Sequence, residues 1–291
     1  MEALQQATKR EVLEVKGITE ARLAALMEAA GKVSSAHAGR FKTAAQLREE
    51  QAQLYHVSTG SKELDALLDG GLQSKFLTEV YGEYRCGKTQ LCATAAVTAQ
   101  LDTHSGGKVV YVDTEGNFSP ERLRPICERF GVAAETVLDN IIVARVYNTD
   151  QQEALPQLVE AQIDADGAPY ALIIIDSLTA LWRVDFSGRG ELSERQQRLG
   201  KHLNQLRKLA ERHNLAVLLT NQVMSDPAGG MTFVPDPKKP VGGHVVAHAC
   251  NVRVSLRKGR EQERVAQLVD HPCMPEADAT FVLGVGGVGD A

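Results

Sequence analysis

Residues 82–89 read Gly-Glu-Tyr-Arg-Cys-Gly-Lys-Thr and match the spacing G-x-x-x-x-G-K-[ST]. Gly82 and Gly87 let the backbone curl so that successive N–H groups converge on one point, which suits a phosphate. Lys88 stands where an ammonium reaches the β- and γ-phosphates of a triphosphate, and the Thr89 hydroxyl stands where Mg²⁺ is held. Gly82, Glu83, Tyr84, Arg85, Cys86, Gly87, Lys88, Thr89 and the following Gln90 therefore form a candidate nucleotide cradle. The competing reading is a surface turn that matches by chance. Asp176 closes the apolar run ALIIID and suits Mg²⁺ coordination through water. Glu115, in YVDTEG, is the candidate base that orients an attacking water; its plain alternative is a solvated loop carboxylate. Gln222 ends LLTNQ and is a candidate sensor of the γ-phosphate, or else an amide that caps a strand. Arg122, in SPERL, offers a planar guanidinium for adenine to stack on, or is an ordinary surface charge.

These side chains need a scaffold that collects strand ends. Apolar runs predict strands at 76–81, 108–113, 141–146, 171–176, 215–220, 252–256, 264–270 and 279–283. Between them, helices are predicted at 61–68, 89–101, 120–130, 151–165 and 191–213. The early strands are nearly continuous apolar runs, the pattern of a parallel sheet buried on both faces, where ligands gather at the carboxyl ends of strands. The last three follow one another without a helix, which predicts antiparallel pairing. Upstream, 2–15 and 19–33 read as short helices joined by VKGI. Such a pair presents backbone N–H groups to a phosphate backbone, or is a plain helical hairpin. Residues 34–60 are polar and read as a linker, in which Phe41 is a bulky apolar side chain in need of a pocket, its own domain's or another's.

The chain has 291 residues, 43% hydrophobic and 24% charged, as in ordinary globular proteins. No apolar run reaches the ~18 residues of a membrane span, and the first residues lack a signal-peptide core, so an intracellular protein is expected. Cys86, Cys92, Cys127, Cys250 and Cys273 form no C-x-x-C pair and read as reduced thiols. The net charge of −5 argues weakly against a nucleic-acid partner, but its distribution matters more. Arg183, Arg189, Arg195 and Arg198 fall in 183–198, Lys238 and Lys239 end the Gly- and Pro-rich stretch 223–243, and a third basic run covers 257–264. Singly each reads as a solvated hairpin; together they suggest the walls of a polyanion channel.

From about residue 10 to residue 291 the chain resembles the eukaryotic RecA-family recombinases. The likeness rests on VKGITEA, TGSKELDALLDGG, GEYRCGKTQL, YVDTEG, SPERL, DFSGRGELSERQQ, TNQV, PDPKKP, GGHVVAHA, SLRKGR and GGVGDA. The stretch MTFVPDPKKPVGGH resembles the meiosis-specific branch more than the general mitotic one. The resemblance implies an α/β fold: a RecA-like phosphate-loop ATPase core with a mostly parallel central sheet flanked by helices (60–291). A small all-α helix-hairpin-helix region (1–33) and a linker with a polymerisation motif (34–59) precede it. It implies a DNA-dependent ATPase that uses ATP and Mg²⁺, forms helical filaments on single-stranded DNA (rings at rest), and exchanges strands with double-stranded DNA in the nucleus. Recombination mediators are the implied partners, and a membrane is not. The alternatives are a general mitotic recombinase of the same family and a non-catalytic filament accessory subunit.

Residue by residue, the resemblance assigns catalysis to Glu115, Lys88 and Gln222. A first DNA loop falls at 183–194 with Arg189 as contact, Arg183 at its start and Arg195 just beyond. A second falls at 223–243, from Val223 to Lys238, Lys239 and Gly243. Asp270 and Pro275, in VDHPCMPE, become a clasp on ATP across the protomer interface. Phe41 and Ala44 become the F-x-x-A anchor for the next protomer. Three departures stand out. The family's N-terminal domain is normally longer, so the chain begins inside it. His271 replaces a usual Ser. Cys86 replaces a common Thr, and a helix N-terminus with a lysine nearby is expected to lower the thiol pKa and expose it to oxidation.

Overall fold

The apolar runs become a single large sheet whose central strands, such as 170–176 and 216–221, are buried from both sides, while 141–145 and the last strands alternate between buried and exposed residues. The computed structural model describes residues 8–13, 15–35, 42–101, 107–188, 190–225 and 238–291. Contacts divide the chain into Met1–Leu54 and Tyr55–Ala291.

In the first unit, α1 (Lys9–Leu13) and α2 (Glu20–Ser35) bury Val12, Leu23 and Ala30. The turn between them passes through Gly17 at φ 93°, a left-handed conformation that glycine adopts without a Cβ clash. Within the stretch read as linker there is a further helix, α3 (Ala44–Gln51). Thr43 starts it with a capping box: its hydroxyl accepts the Gln46 N–H while the Gln46 side chain takes the Thr43 N–H. α3 buries no residue, which is why hydrophobic periodicity did not reveal it. Ala44 is its first residue; Phe41 lies outside the described residues.

The second unit begins with β1 (His56–Val57), α4 (Lys62–Leu67), β2 (Leu72–Gln73), β3 (Leu77–Gly82) and α5 (Lys88–Thr98). Then come β4 (Lys108–Asp113), a 3-10 turn (Pro120–Arg122), α6 (Arg124–Phe130), α7 (Ala134–Asp139), β5 (Ile141–Arg145) and α8 (Thr149–Asp166). β6 (Tyr170–Asp176), α9 (Ala180–Asp185), α10 (Leu192–His213), β7 (Ala216–Asn221) and β8 (Val223–Ser225) follow. The last elements are β9 (Lys238–Pro240), α11 (Gly243–Ala249), β10 (Val252–Lys258), β11 (Glu263–Asp270), β12 (Asp278–Gly284) and β13 (Gly287–Asp290).

The nine-stranded sheet runs β13-β12-β11-β10-β3-β7-β6-β4-β5. It is parallel from β10 to β5 and antiparallel from β10 to β13, an α/β RecA-like arrangement. Successive residues of a strand feed opposite faces. Leu172 and Ile174 join a core with α5 residues such as Leu91 and Ala95, while Ile173 and Ile175 join one with Leu155 of α8 and Leu203 of α10. Each such side chain contributes roughly 1.5–3 kcal/mol when fully buried. The predicted helix over 120–130 is instead a 3-10 turn and then α6, because Pro125 lacks the N–H to continue and suits a first helical turn. α7, α9 and α11 are one or two turns long, too short to show a period in sequence.

Candidate functional site

The sheet order sets the site. β7 lies between β3 and β6, so residues after β3, β7, β6 and β4 meet at one edge. Gly82 ends β3, where a Cβ would sit 2.3 Å from the Leu256 carbonyl oxygen of β10. Gly87 is the N-cap of α5 at φ 101° with no side-chain cap, so the first N–H groups of α5 are available to an anion. Lys88 Nζ donates to the carbonyls of Gly82 and Glu83, both at 2.8 Å, which folds the ammonium back across the loop. Burial pulls the Lys88 pKa down, against the raising influence of Cys86, Asp176 and Glu115. Tyr84 is exposed, with the Arg85 guanidinium 5.3 Å from its ring centre.

The expectation for Cys86 is corrected. Its side chain is buried, and burial raises the thiol pKa more than Lys88, Lys258 and Arg264 lower it. A protonated, covered thiol is a poor target for oxidants.

The opposite wall is acidic. Asp176 closes β6, and its two oxygens accept from Thr220 Oγ1 at 2.6 Å and Tyr111 OH at 3.0 Å. Asp113 closes β4, but its carboxylate faces its own loop. Oδ1 accepts the N–H groups of Glu115, Gly116 and Asn117, and Oδ2 accepts that of Phe118. That clamp presents Glu115. Glu115 Oε1 accepts from Ser177 Oγ at 2.8 Å and Gln222 Nε2 at 2.9 Å, and Oε2 accepts from Asn117 Nδ2 at 3.2 Å. Gln222 Oε1 in turn accepts from Arg183 Nη1 at 3.0 Å.

Between the walls is a cleft of about 870 Å³. Gly82 to Gln90 line it together with Glu115, Arg122, Asp176, Gln222 and Val223. Arg122 also points Nη1 at the Asn117 carbonyl, 3.5 Å away. Asn117, Met224, Lys258, Arg264 and Leu283 also line the cleft, and Ser177 supports Glu115; sequence reasoning assigned none of these to the nucleotide site. Lys258 and Arg264 belong to the basic run 257–264, which is the β10–β11 hairpin. Two of its cations, Lys258 and Arg264, line the cleft, and Arg257 pairs with Asp278 at 2.7 Å.

The remaining candidates are spread more widely. Arg183 is exposed at the end of α9, and Arg195 is half-buried in the first turn of α10. Arg189 lies outside the described residues. Arg198 is held by Asp150 and Glu153 of α8 at 2.5 and 2.6 Å and lies over the Phe186 ring, so it is committed to the fold. Lys238 and Lys239 pair with Ser225 and Met224 in the β8–β9 ladder, and Gly243 opens α11. Asp270 ends β11 and Pro275 lies in the turn before β12; neither lines this chain's cleft. His271 Nδ1 accepts the N–H groups of Cys273 and Met274, which shapes that turn. Among the described residues no cluster of three His, Cys, Asp or Glu is arranged for a metal, and no helix is long and apolar enough to cross a membrane. Thr89 and Asp176 both line the cleft, a hard-oxygen pair that fits Mg²⁺ held partly through water.

A parallel sheet with a phosphate loop on its central strand and an acidic wall facing it defines a phosphate-loop nucleotide-binding protein of RecA-like fold. The family profile described as Rad51 matches residues 50–291, and the chain belongs to that family. It is 48% identical to a Mus musculus protein named "Meiotic recombination protein DMC1/LIM15 homolog", across 100% of this chain and 86% of that protein. It is 48% identical to "Meiotic recombination protein DLH1" of Candida albicans, across 97% and 87% of the two chains. Identity to "DNA repair protein RAD51 homolog" of Solanum lycopersicum is 45%, across 100% and 84%.

Proposed function

We propose that this chain is an ATP-dependent DNA recombinase that forms filaments on single-stranded DNA and carries out homologous pairing and strand exchange in meiotic recombination and break repair. One observation carries the reading. Gln222 joins the candidate base Glu115 on the nucleotide side to Arg183 on the side of the first basic loop, and the second loop starts at the next residue. A site built only to hold a nucleotide needs no such bridge.

In this reading the phosphate loop and the start of α5 hold the triphosphate, and Lys88 leaves the Gly82 and Glu83 carbonyls to meet it. Thr89, and Asp176 through water, would hold Mg²⁺, which would supply charge neutralisation at the transferred phosphoryl group. Thr220 and Tyr111 fix the Asp176 carboxylate in place. Glu115 orients a water, with Ser177 and Asn117 fixing its two oxygens. Arg122 covers the base. When Gln222 turns toward a γ-phosphate it lets go of Glu115 and Arg183, so nucleotide state changes what both loops are tied to.

Arg183, Arg189, Arg195, Val223, Lys238 and Lys239 are the proposed DNA residues on those loops. Phe41 and Ala44 anchor the next protomer, and Asp270 with Pro275 reaches the neighbour's nucleotide. The helix-hairpin-helix region (1–33) and linker (34–59) complete the division proposed around the core (60–291). A nuclear location follows from work on chromosomal DNA, with recombination mediators as partners. The test is ATP hydrolysis with and without single-stranded DNA, joined to electron microscopy with a slowly hydrolysed analogue and a strand-exchange assay. DNA-stimulated hydrolysis, helical filaments and exchanged strands are expected. A non-catalytic accessory subunit would show neither stimulation nor exchange.

A further inference from the structure

Behind Gln222 lies a side chain to which the mechanism above gives no role. Asn221 is fully buried at the end of β7. Its amide makes four contacts. Nδ2 donates to Glu79 Oε1 and to the Val241 carbonyl, each at 2.7 Å. Oδ1 accepts from Thr179 Oγ1 at 2.6 Å and from the Gln222 N–H at 2.8 Å. The partners fix the amide's orientation, since a carboxylate and a carbonyl only accept and a backbone N–H only donates.

Each partner leads somewhere different. Gln222 N is the outgoing root of the second loop, and Val241, just past β9, is its return; the Val241 N–H also donates to the Gln222 carbonyl at 3.0 Å. Thr179 is the N-cap of α9, the helix that carries Arg183 into the first loop. A threonine in that position ordinarily caps its own helix, but here it makes no cap bond and spends its hydroxyl on Asn221. Glu79 is buried in β3, whose end opens the phosphate loop, and its other oxygen accepts from Arg253 Nε of β10 at 2.7 Å. The charged pair holds the amide's inner end on the rigid centre of the sheet. A strand, both roots of the second loop and the N-cap of α9 thus meet on one amide.

We propose that Asn221, braced by Glu79 and Arg253, is a positioning residue that ties both roots of the second loop, and the helix leading into the first, to the nucleotide sensor Gln222. A backbone shift at Gln222 on nucleotide binding is then passed through Asn221 to Val241 and Thr179. The inference rests on the recombinase reading for the role of the loops, and its test separates the two.

Thr179 offers the mild perturbation. Thr179→Val keeps shape and removes one hydroxyl; Thr179→Ser keeps the hydroxyl and removes a methyl. Two measurements are made on both variants and on the unaltered chain. Hydrogen exchange over 238–245, with and without a slowly hydrolysed ATP analogue, reads the clamp without DNA. ATP hydrolysis at saturating and zero single-stranded DNA reads the coupling ratio. Thr179→Val is expected to keep the DNA-free rate, to lose nucleotide-induced protection at Val241, and to lower the coupling ratio roughly two- to tenfold, the range one lost hydrogen bond gives. Thr179→Ser should behave as the unaltered chain does. Unchanged protection in Thr179→Val, or equal losses in Val and Ser variants, overturns the clamp. An unaltered chain that shows nucleotide-induced protection but no DNA stimulation overturns the recombinase reading, and the hydrogen-exchange contrast between the variants then decides the clamp by itself.

Discussion

Replacing Asp113 by asparagine separates the loop clamp from the chemistry. The carboxylate gathers four backbone N–H groups from 115–118 and a contact from Arg145 Nη1 at 3.3 Å. An Asn amide keeps one acceptor oxygen for the three N–H groups on Oδ1. It turns an NH₂ toward the Phe118 N–H, donor against donor, and loses the charge opposite Arg145. Hydrogen bonds to a charged group are worth about 1.5–3 kcal/mol each, but Glu115, Gly116 and Asn117 are exposed and water takes up part of their loss. The net expectation is about 2 kcal/mol, one charged bond's worth. For a unit of this size that lowers Tm by roughly 4–8 °C. Hydrolysis should fall by at least about tenfold, because Glu115 is no longer held against Ser177; the ceiling is the ~10²–10⁴-fold contribution of a general base. ATP affinity should stay, since Lys88 and the phosphate loop do not touch Asp113. Thermal unfolding, nucleotide titration and steady-state hydrolysis on one preparation make the test. A Tm within about 1 °C of the parent with full hydrolysis would refute the clamp.

Three further outcomes are expected. His202 is fully buried in α10, neither ring nitrogen has a hydrogen-bond partner among the described residues, and burial holds its pKa down to about 4. The unfolded chain takes up that proton near 6.5 and the folded chain does not, so stability present above pH 6.5 is lost toward pH 4, by roughly 3 kcal/mol in all. His202→Leu should flatten this slope in denaturant midpoints measured against pH; an equal slope would contradict the assignment. Arg198→Ala should lower stability by about 1 kcal/mol through lost pairing and packing while single-stranded DNA affinity stays unchanged, and weaker DNA binding would return Arg198 to the channel. Lys88→Ala should weaken ATP binding by more than about tenfold and abolish ATP-dependent filaments, and normal affinity in a nucleotide titration would contradict the role of the phosphate loop.

Much of the site was legible because its chemistry is local. The phosphate loop needs two glycines, a lysine and a threonine within eight residues, and the strand before it and helix after it carry their own periodicities. Asp176 was legible for the same reason: it ends an apolar run, and the end of a parallel strand is where a ligand sits. That Lys258 and Arg264 line the cleft was not legible, because a basic hairpin looks alike in sequence whichever way it faces; the β10–β3 pairing brings it beside the phosphate loop. Cys86 was misread because a helix N-terminus and a lysine are visible in sequence and burial is not.

Composition and order of residues thus determined the strands, the phosphate loop and the acidic candidates, since backbone freedom and hydrophobic period are properties of neighbouring residues. Which candidates touch was decided only by the sheet order. Placing β7 between β3 and β6 sets Gln222 against Glu115 and Arg183, three residues from distant parts of the chain. It also buries Asn221 where it bonds to β3, both roots of the second loop and Thr179. Contacts between residues far apart in sequence leave no periodic trace, and nonlocal packing alone brings them within hydrogen-bonding distance.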